Sequence, residues 1–392
     1  MPTDDGKLDR TLTLQDLTLF GLSSALGSGG FNLIGKAVRA GGSLWPALLG
    51  GTAALFMGAA WVYSRALHIE GTNTSETDVI ERMFGLPVAG VAGGGLLLFH
   101  VFAIAVSLVF VAQLVMPAAG WFGQVGLATV FLGIMTWFSL ASIEMNKEII
   151  NWTTWALLVV LFAAAGLGGV GGATRGLPDV AAPSASRAAQ SLLYFVFIFA
   201  GAEALVKFTQ ESVDPQRDLP RAFFASNGLS ALLALGVAAA IAIWVPGLAA
   251  DQECNALGHL FARFAGANLI GSMKVAMSVF VLVTTFIMFL ATSRYLYGIG
   301  EKSEMLRWLT ATNEAKAPWK AVAAMAIVCF LGLLINNTDT LVKISDIGLI
   351  VILGLVAAAV TAYDWSQGHT LWATISGLTT AGLGGVLRAV FL

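Results

Sequence analysis

Two short runs of small residues interrupt long apolar stretches of this chain, and a carboxylate follows the second run. The first run is Gly27-Ser28-Gly29-Gly30, and the second is Phe199-Ala200-Gly201-Ala202, followed by Glu203. Glycine disfavours a helix interior by about 1 kcal/mol relative to alanine, so each run is expected to break its helix. At membrane depth, a break leaves N–H and C=O groups that only protein, water or a ligand can satisfy. These groups can bind the charged ends of a small molecule or an ion.

Glu203 is the most informative single residue. A carboxylate near the bilayer centre costs about 2.5–3.5 kcal/mol on insertion scales, so it normally faces a cavity and a partner. We expect it either to exchange protons or recognise substrate charge, or else to hold the break in shape through a hydrogen bond. Two interrupted helices at corresponding positions of two halves indicate the substrate site of a membrane transporter.

Apolar helices are the elements that must position these runs. Of the 392 residues, 57% are hydrophobic and 11% are charged, whereas a soluble domain carries about 25% charged residues. Because a helix needs roughly 20 apolar residues to cross a bilayer, we expect an all-α integral membrane protein with about eleven transmembrane helices. The expected spans are residues 13–40, 44–67, 86–117, 121–142, 149–172, 188–208, 219–248, 265–300, 319–336, 341–363 and 370–391.

The basic residues of the loops predict the orientation. The basic residues assigned to the loop after the eighth span are Arg294, Lys302, Arg307, Lys316 and Lys320. Lysine and arginine mark the cytoplasmic side. We therefore expect residues 1–12 to be a cytoplasmic N-terminal tail and the polar stretch 65–85 to be a cytoplasmic loop. The plasma membrane is the expected location.

Other function classes find little support in the sequence. The net charge of −2 argues against a nucleic-acid partner. Cys254 and Cys329 give neither a disulfide framework nor a metal pair, and the four histidines are scattered. The GxGxxG pattern at residues 166–171 lacks a βαβ unit and is interpreted as helix packing. We expect no enzyme activity, no metal and no cofactor.

Three stretches resemble the amino acid–polyamine–organocation (APC) permease superfamily. The first, Gly27-Ser28-Gly29-Gly30-Phe31, resembles the family's GSGIF. The second resembles the family's F-x-G-x-E and E-x-x-x-P-x-R-x-x-P-R patterns and comprises Phe199 to Glu203 with Glu211, Pro215, Arg217, Pro220 and Arg221. The third resembles the connection between the eighth and ninth helices and comprises Ser293, Arg294, Tyr295, Leu296 and Tyr297 with Glu301, Leu306 and Pro318.

The resemblance implies a LeuT-like fold, a five-plus-five inverted repeat with broken helices 1 and 6. Residues 13–172 would form the first repeat, residues 188–363 the second, and residues 370–391 an additional eleventh helix. The implied function is secondary active transport of amino acids or polyamines by alternating access, as a permease or antiporter. The implied partners are the bilayer and a small-molecule substrate, with homodimer formation as a further expectation. The alternative is a transport-inactive, receptor-like or chaperone-type protein that keeps the fold.

The resemblance also implies roles for individual residues. The substrate carboxylate would meet N–H groups of Ser28, Gly29 and Gly30, with Gly27 completing the turn. The substrate amino group would meet carbonyls at Phe199, Ala200 and Ala202, beside Gly201. Phe197 is either a gating aromatic or a packing residue. Glu203 would couple transport to protons and favour cationic substrates.

The coupling ion stays open between H⁺ and Na⁺. Many proton-coupled relatives carry a lysine in the fifth helix, and residues 151–172 contain none. Thr284 and Thr285 lie about where sodium-coupled relatives place hydroxyl ligands, and the alternative is a helix-facing threonine pair. Glu211 and Arg217 are expected to form ion pairs of an inner gate, with a solvated loop as the alternative.

Overall fold

The protein is all-helical throughout the part that this computed structural model describes, which is residues 8–26, 33–248 and 252–391. Those ranges contain fourteen α-helices. They are α1 Leu14–Leu26, α2 Ile34–Gly41, α3 Trp45–Glu70, α4 Ser75–Phe84, α5 Leu86–Val115, α6 Trp121–Ser139, α7 Ile143–Arg175, α8 Ala185–Phe199, α9 Pro215–Trp244, α10 Ala256–Ala265, α11 Asn268–Lys302, α12 Trp319–Leu333, α13 Thr338–Ser366 and α14 Thr370–Phe391. Short 3₁₀ helices occupy Gly42–Leu44, Ala202–Phe208, Glu253–Asn255 and Glu304–Thr310.

Eight helical segments of the described chain are long and apolar enough to cross a bilayer. They account for most of the eleven expected spans, with boundaries a few residues away. The first expected span runs across residues 27–32, which lie outside the described residues, and its second half continues into the segment Ile34–Glu70. The ninth expected span is the shorter apolar helix Trp319–Leu333, and the eleventh is α14.

The core of the bundle surrounds α1 and the Ala202–Phe208 segment. Helix α1 packs against α7, α9, α11 and this 3₁₀ helix. The long helices α5 and α13 pack against each other on another side of the core. There Ser345 donates a hydrogen bond to the Phe99 carbonyl, and Gly348 lies against the Phe99 backbone. Small residues at such contacts let helix backbones approach closely.

The glycine-rich end of α7 is a helix-packing surface, as expected from the sequence. Gly168 faces the backbone of Gly236 on α9, and Gly236 in turn faces Ala165. A Cβ atom at either glycine would collide with the opposite helix. The GxGxxG pattern therefore lies within a continuous helix and packs α7 closely against α9.

Two stretches expected to be polar loop or tail pack into the protein. In the expected loop 65–85, α3 continues to Glu70 and α4 follows, and Asn73, Thr74, Ser75 and Glu76 are buried. In the expected N-terminal tail, Leu12 is buried and forms a parallel β-bridge with Ser212. Polar composition alone predicted exposure, whereas these side chains and peptide groups find hydrogen-bond partners inside the fold.

Candidate functional site

The sixth expected span breaks where the sequence predicts it. Helix α8 ends at Phe199, Ala200 adopts an extended conformation, and Gly201 has φ +124°. The chain continues as the 3₁₀ helix Ala202–Phe208. An α-helix leaves its final C=O groups without intrahelical partners. The end of α8 therefore presents backbone carbonyls at the break, inside a segment long enough to span a membrane.

The end of α1 lies directly against this break. A Cβ atom built on Gly201 would stand 2.5 Å from the Ser24 carbonyl oxygen and 2.7 Å from its hydroxyl oxygen. Helix α1 ends at Leu26, two residues beyond Ser24. The predicted contributions of Gly27, Ser28, Gly29 and Gly30 follow immediately and lie outside the described residues. The structure thus places the end of α1, which is described as far as Leu26, against the second predicted run.

Glu203 holds the break through a hydrogen bond. Its Oε2 atom accepts from the backbone N–H of Gly201 at 2.8 Å, and its side chain is buried. The other carboxylate oxygen has no hydrogen-bond partner among the described residues, and the same is true of the Tyr63 hydroxyl and Asn227 Oδ1. These three residues line a small cavity about the size of one water molecule. One oxygen therefore shapes the break while the other remains available for a proton.

A buried ion pair lies one helical turn beyond Glu203. The Lys207 ammonium pairs with the Glu76 carboxylate, and neither side chain has exposed surface. Lys207 also donates to the Glu203 carbonyl at 3.3 Å and lies 5.9 Å from the centroid of the Tyr295 ring. Burial raises the pKa of the Glu76 carboxyl, and Lys207 offsets part of that rise. The pair therefore places a positive and a negative group directly beneath the break.

Sequence reasoning missed this pair. Glu76 was assigned to a loop, and Lys207 was counted within the sixth span without a role. The sequence does hold one signal, a lysine four residues after Glu203 inside an apolar run. A charged side chain within a membrane span usually pairs with another group. That partner could not be identified, because Glu76 reaches the site only through the packing of α4.

Aromatic side chains surround the break. Phe197 and Phe199 are both buried, and Phe199 stacks on Phe56 of α3 with ring centroids 5.7 Å apart. Ala200 and Ala202 are buried beside them. The structure therefore places five predicted site residues at or beside the break, among apolar side chains: Phe197, Phe199, Ala200, Gly201 and Ala202.

Thr284 and Thr285 on α11 take different positions. The Thr284 hydroxyl lies 2.9 Å from the Ser23 carbonyl oxygen and donates to it or to the Phe280 carbonyl, also at 2.9 Å. The Thr285 hydroxyl bonds the Val281 carbonyl of its own helix at 2.6 Å. Thr284 thus connects α11 to α1 near the described end of α1, whereas the Thr285 hydroxyl bonds within α11.

Glu211 and Arg217 do not pair with each other. Glu211 accepts from Arg294 at 3.2 Å, and both side chains are almost fully buried. Arg217 is largely exposed and pairs with Asp218 at 3.0 Å. Backbone N–H groups of Thr11 and Leu12 also reach the Glu211 carbonyl. Glu211 therefore lies where the chain start, the end of the sixth span and α11 meet.

Comparisons with known proteins agree with this architecture. The family model described as amino acid permease matches residues 12–392. An uncharacterized transporter of Mycobacterium tuberculosis (strain H37Rv) and one of Mycobacterium bovis are each 27% identical over 327 residues, which is 82% of this chain and 73% of theirs.

A solved structure confirms the fold. The crystal structure of MhsT in complex with L-phenylalanine superposes with a TM-score of 0.65 at 16% identity, covering 97% of this chain and 99% of that one. This likeness confirms the expected LeuT-like helical fold. Together with the family match over nearly the whole chain, it shows a transporter rather than an enzyme. The protein belongs to the amino acid permease family of the APC superfamily and is an integral membrane transporter.

Proposed function

We propose that the protein is a proton-coupled secondary transporter that moves amino acids across the membrane by alternating access. The observation that carries the proposal is the broken helix at Ala200-Gly201, held against the end of α1 in the interior of the helical bundle. Peptide groups freed at such breaks are the ligands that transporters of this architecture offer to small charged substrates.

The proposed substrate is an α-amino acid, recognised at both of its charged groups. In this proposal, carbonyls at the end of α8 would meet the ammonium group. The N–H groups of Ser28, Gly29 and Gly30, which lie outside the described residues, would meet the carboxylate. The similar structure of MhsT was solved with L-phenylalanine, which supports the same substrate class. Phe56, Phe197 and Phe199 favour an apolar side chain on the substrate.

Neutral amino acids fit the site better than polyamines or cationic amino acids. Glu203 already uses one oxygen to bond Gly201, and the Lys207 ammonium bonds the backbone carbonyl of Glu203 at 3.3 Å. A cationic side chain directed at Glu203 would also approach Lys207, and like charges at close range repel. Polyamines would in addition leave the N–H groups of the first run without a carboxylate.

Glu203 is the proposed proton-exchanging group. It is buried, it belongs to the broken helix, and one oxygen has no protein donor among the described residues. A buried carboxyl of this kind is neutral when protonated and needs a counter-charge when ionised. Movement of the broken helix during alternating access would expose it to each side of the membrane in turn.

We place the N terminus in the cytoplasm of a plasma-membrane protein, following the basic loop after α11.

Uptake into proteoliposomes tests this function. Purified protein is reconstituted and given radiolabelled phenylalanine, leucine, lysine, arginine and putrescine, each with an inward proton gradient, an inward sodium gradient or none. We expect saturable uptake of neutral amino acids that the proton gradient drives and the sodium gradient does not. Binding without uptake of any compound would instead identify a transport-inactive relative, and preferential uptake of lysine or putrescine would overturn the proposed substrate class.

A further inference from the structure

The Glu76–Lys207 pair joins two parts of the chain that are distant in sequence. Lys207 lies on the 3₁₀ helix after the break, and Glu76 lies on α4, outside the spans. Both side chains are completely buried. Replacing a buried ion pair by apolar residues is often neutral or stabilising, so the fold alone does not explain these two charges.

We propose that this pair sets the charge of Glu203 and thereby the pH range in which the transporter works. The inference rests on the proposed role of Glu203 as the proton-exchanging group. Lys207 touches the Glu203 residue itself, through the backbone carbonyl at 3.3 Å. Glu76 is paired with that same ammonium, so both charges lie next to residue 203.

Other groups near the break do not supply a competing charge. The titratable side chains that face this region are Tyr63 on α3, Glu76 on α4, His100 on α5 and Tyr295 on α11. Several buried charged groups of the packed helices bond elsewhere: Asp16 of α1 to Asn151, Asp364 to Arg65 of α3, Asp218 of α9 to Arg217, and Arg294 of α11 to Glu211.

The charged groups around the break leave one of them, Glu203, to bind or release a proton. The described centre holds one ammonium and two carboxyls. Lys207 neutralises Glu76, which leaves Glu203 to change its own charge by binding or releasing one proton. Lys207 favours the ionised form of Glu203, and Glu76 disfavours it. Because Lys207 contacts the Glu203 residue directly, its effect is the larger of the two.

The two single substitutions should therefore move the pH dependence of transport in opposite directions. Lys207→Met removes the positive charge, so Glu203 should hold its proton to higher pH. The midpoint of the uptake–pH curve should rise by about one pH unit, at the lower end of the shift that one neighbouring opposite charge causes. Glu76→Gln removes the negative charge, and the midpoint should fall. The double variant Glu76→Gln/Lys207→Met should lie between the two single variants.

The experiment measures phenylalanine uptake into proteoliposomes, driven by a proton gradient, as a function of pH. It compares the wild type, the two single variants and the double variant. Opposite shifts support the inference. Lower rates with unmoved midpoints, or shifts in the same direction, overturn it and leave a structural pair. Size-exclusion profiles in detergent report folding. If an unpaired charge prevents folding, Lys207→His keeps a donor beside Glu76 and loses its charge as pH rises. Its midpoint should also rise, and an unmoved midpoint counts against the inference.

The failure of this inference is distinct from failure of the proposed function. A wild-type protein without pH-dependent uptake would refute proton coupling itself. A different result would refute only the role of Glu76 and Lys207. In that case wild-type uptake depends on pH and Glu203→Gln abolishes this dependence, but the Glu76 and Lys207 variants keep the wild-type midpoint.

Discussion

A Cβ atom on Gly201 would lie 2.5 Å from the carbonyl oxygen of Ser24. The end of α1 and the break after α8 therefore touch backbone to backbone, without a side chain between them. Gly201 also has φ +124°, a conformation that other residues rarely adopt. One glycine thus permits both the turn of the break and its contact with α1.

Gly201→Ala should abolish transport. The added methyl group forces Ser24 away, and the positive φ adds backbone strain of about 1–3 kcal/mol. We expect proteoliposome uptake to fall at least about tenfold, with a lower melting temperature of the purified protein. Gly228→Ala on α9 is the matched control, because its Cβ would meet no atom within 4 Å. Wild-type uptake by Gly201→Ala would show that this close contact is dispensable.

Glu203→Gln should keep the break and lose the pH dependence. The amide oxygen can still accept the Gly201 N–H, so folding should match the wild type, but the side chain no longer ionises. Facilitated exchange should then no longer vary with pH, because position 203 has no proton to gain or lose. Glu203→Leu, by contrast, leaves a buried N–H unbonded and should destabilise the protein by about 1–3 kcal/mol. An unchanged pH profile in Glu203→Gln contradicts the coupling role.

Glu211→Ala should be far more damaging than Arg217→Ala. Glu211 is the buried partner of Arg294, and removing one partner of a buried pair costs about 3–5 kcal/mol. Arg217 pairs on the surface, where an ion pair contributes about 0–1 kcal/mol. Thermal unfolding in detergent measures both. If Arg217→Ala alone impaired uptake while folding normally, the gate predicted from the sequence would include Arg217 after all.

Thr284→Val should lower uptake, and Thr285→Val should change it little. Thr284 connects α11 to the Ser23 carbonyl, and losing such a buried bond costs about 1–3 kcal/mol. The Thr285 hydroxyl bonds only its own helix in the described chain. Uptake by the wild type should be equal in sodium and choline buffers. Sodium stimulation that both variants abolish would instead favour a sodium site at these hydroxyls.

The fold was predictable because its signals are local. The length of the apolar stretches predicted the spans. Gly201, flanked by alanines, predicted the break, because glycine weakens a helix wherever it occurs. The carboxylate at Glu203 was predictable as an intramembrane charge. The structure shows the expected hydrogen bond to the break, through Gly201, whereas the proton-exchange role stays a prediction.

The partners of charged residues were not predictable, because they depend on packing between distant segments. Glu211 and Arg217 were expected to form ion pairs of an inner gate, and the sequence named no partner for either, whereas the partner of Glu211 is Arg294 of α11. Glu76 appeared to belong to a loop because its neighbours are polar, yet α4 carries it to Lys207. A polar side chain can be buried when the fold supplies a hydrogen-bond or ion-pair partner, so polar composition alone does not establish exposure.

Substrate-driven proton entry tests the central claim most directly. Proteoliposomes containing a pH-sensitive dye are placed in a neutral buffer with the membrane potential clamped, and phenylalanine or another transported amino acid is added outside. We predict internal acidification with the wild type and none with Glu203→Gln. Substrate accumulation without acidification, or equal acidification by both proteins, would contradict the account.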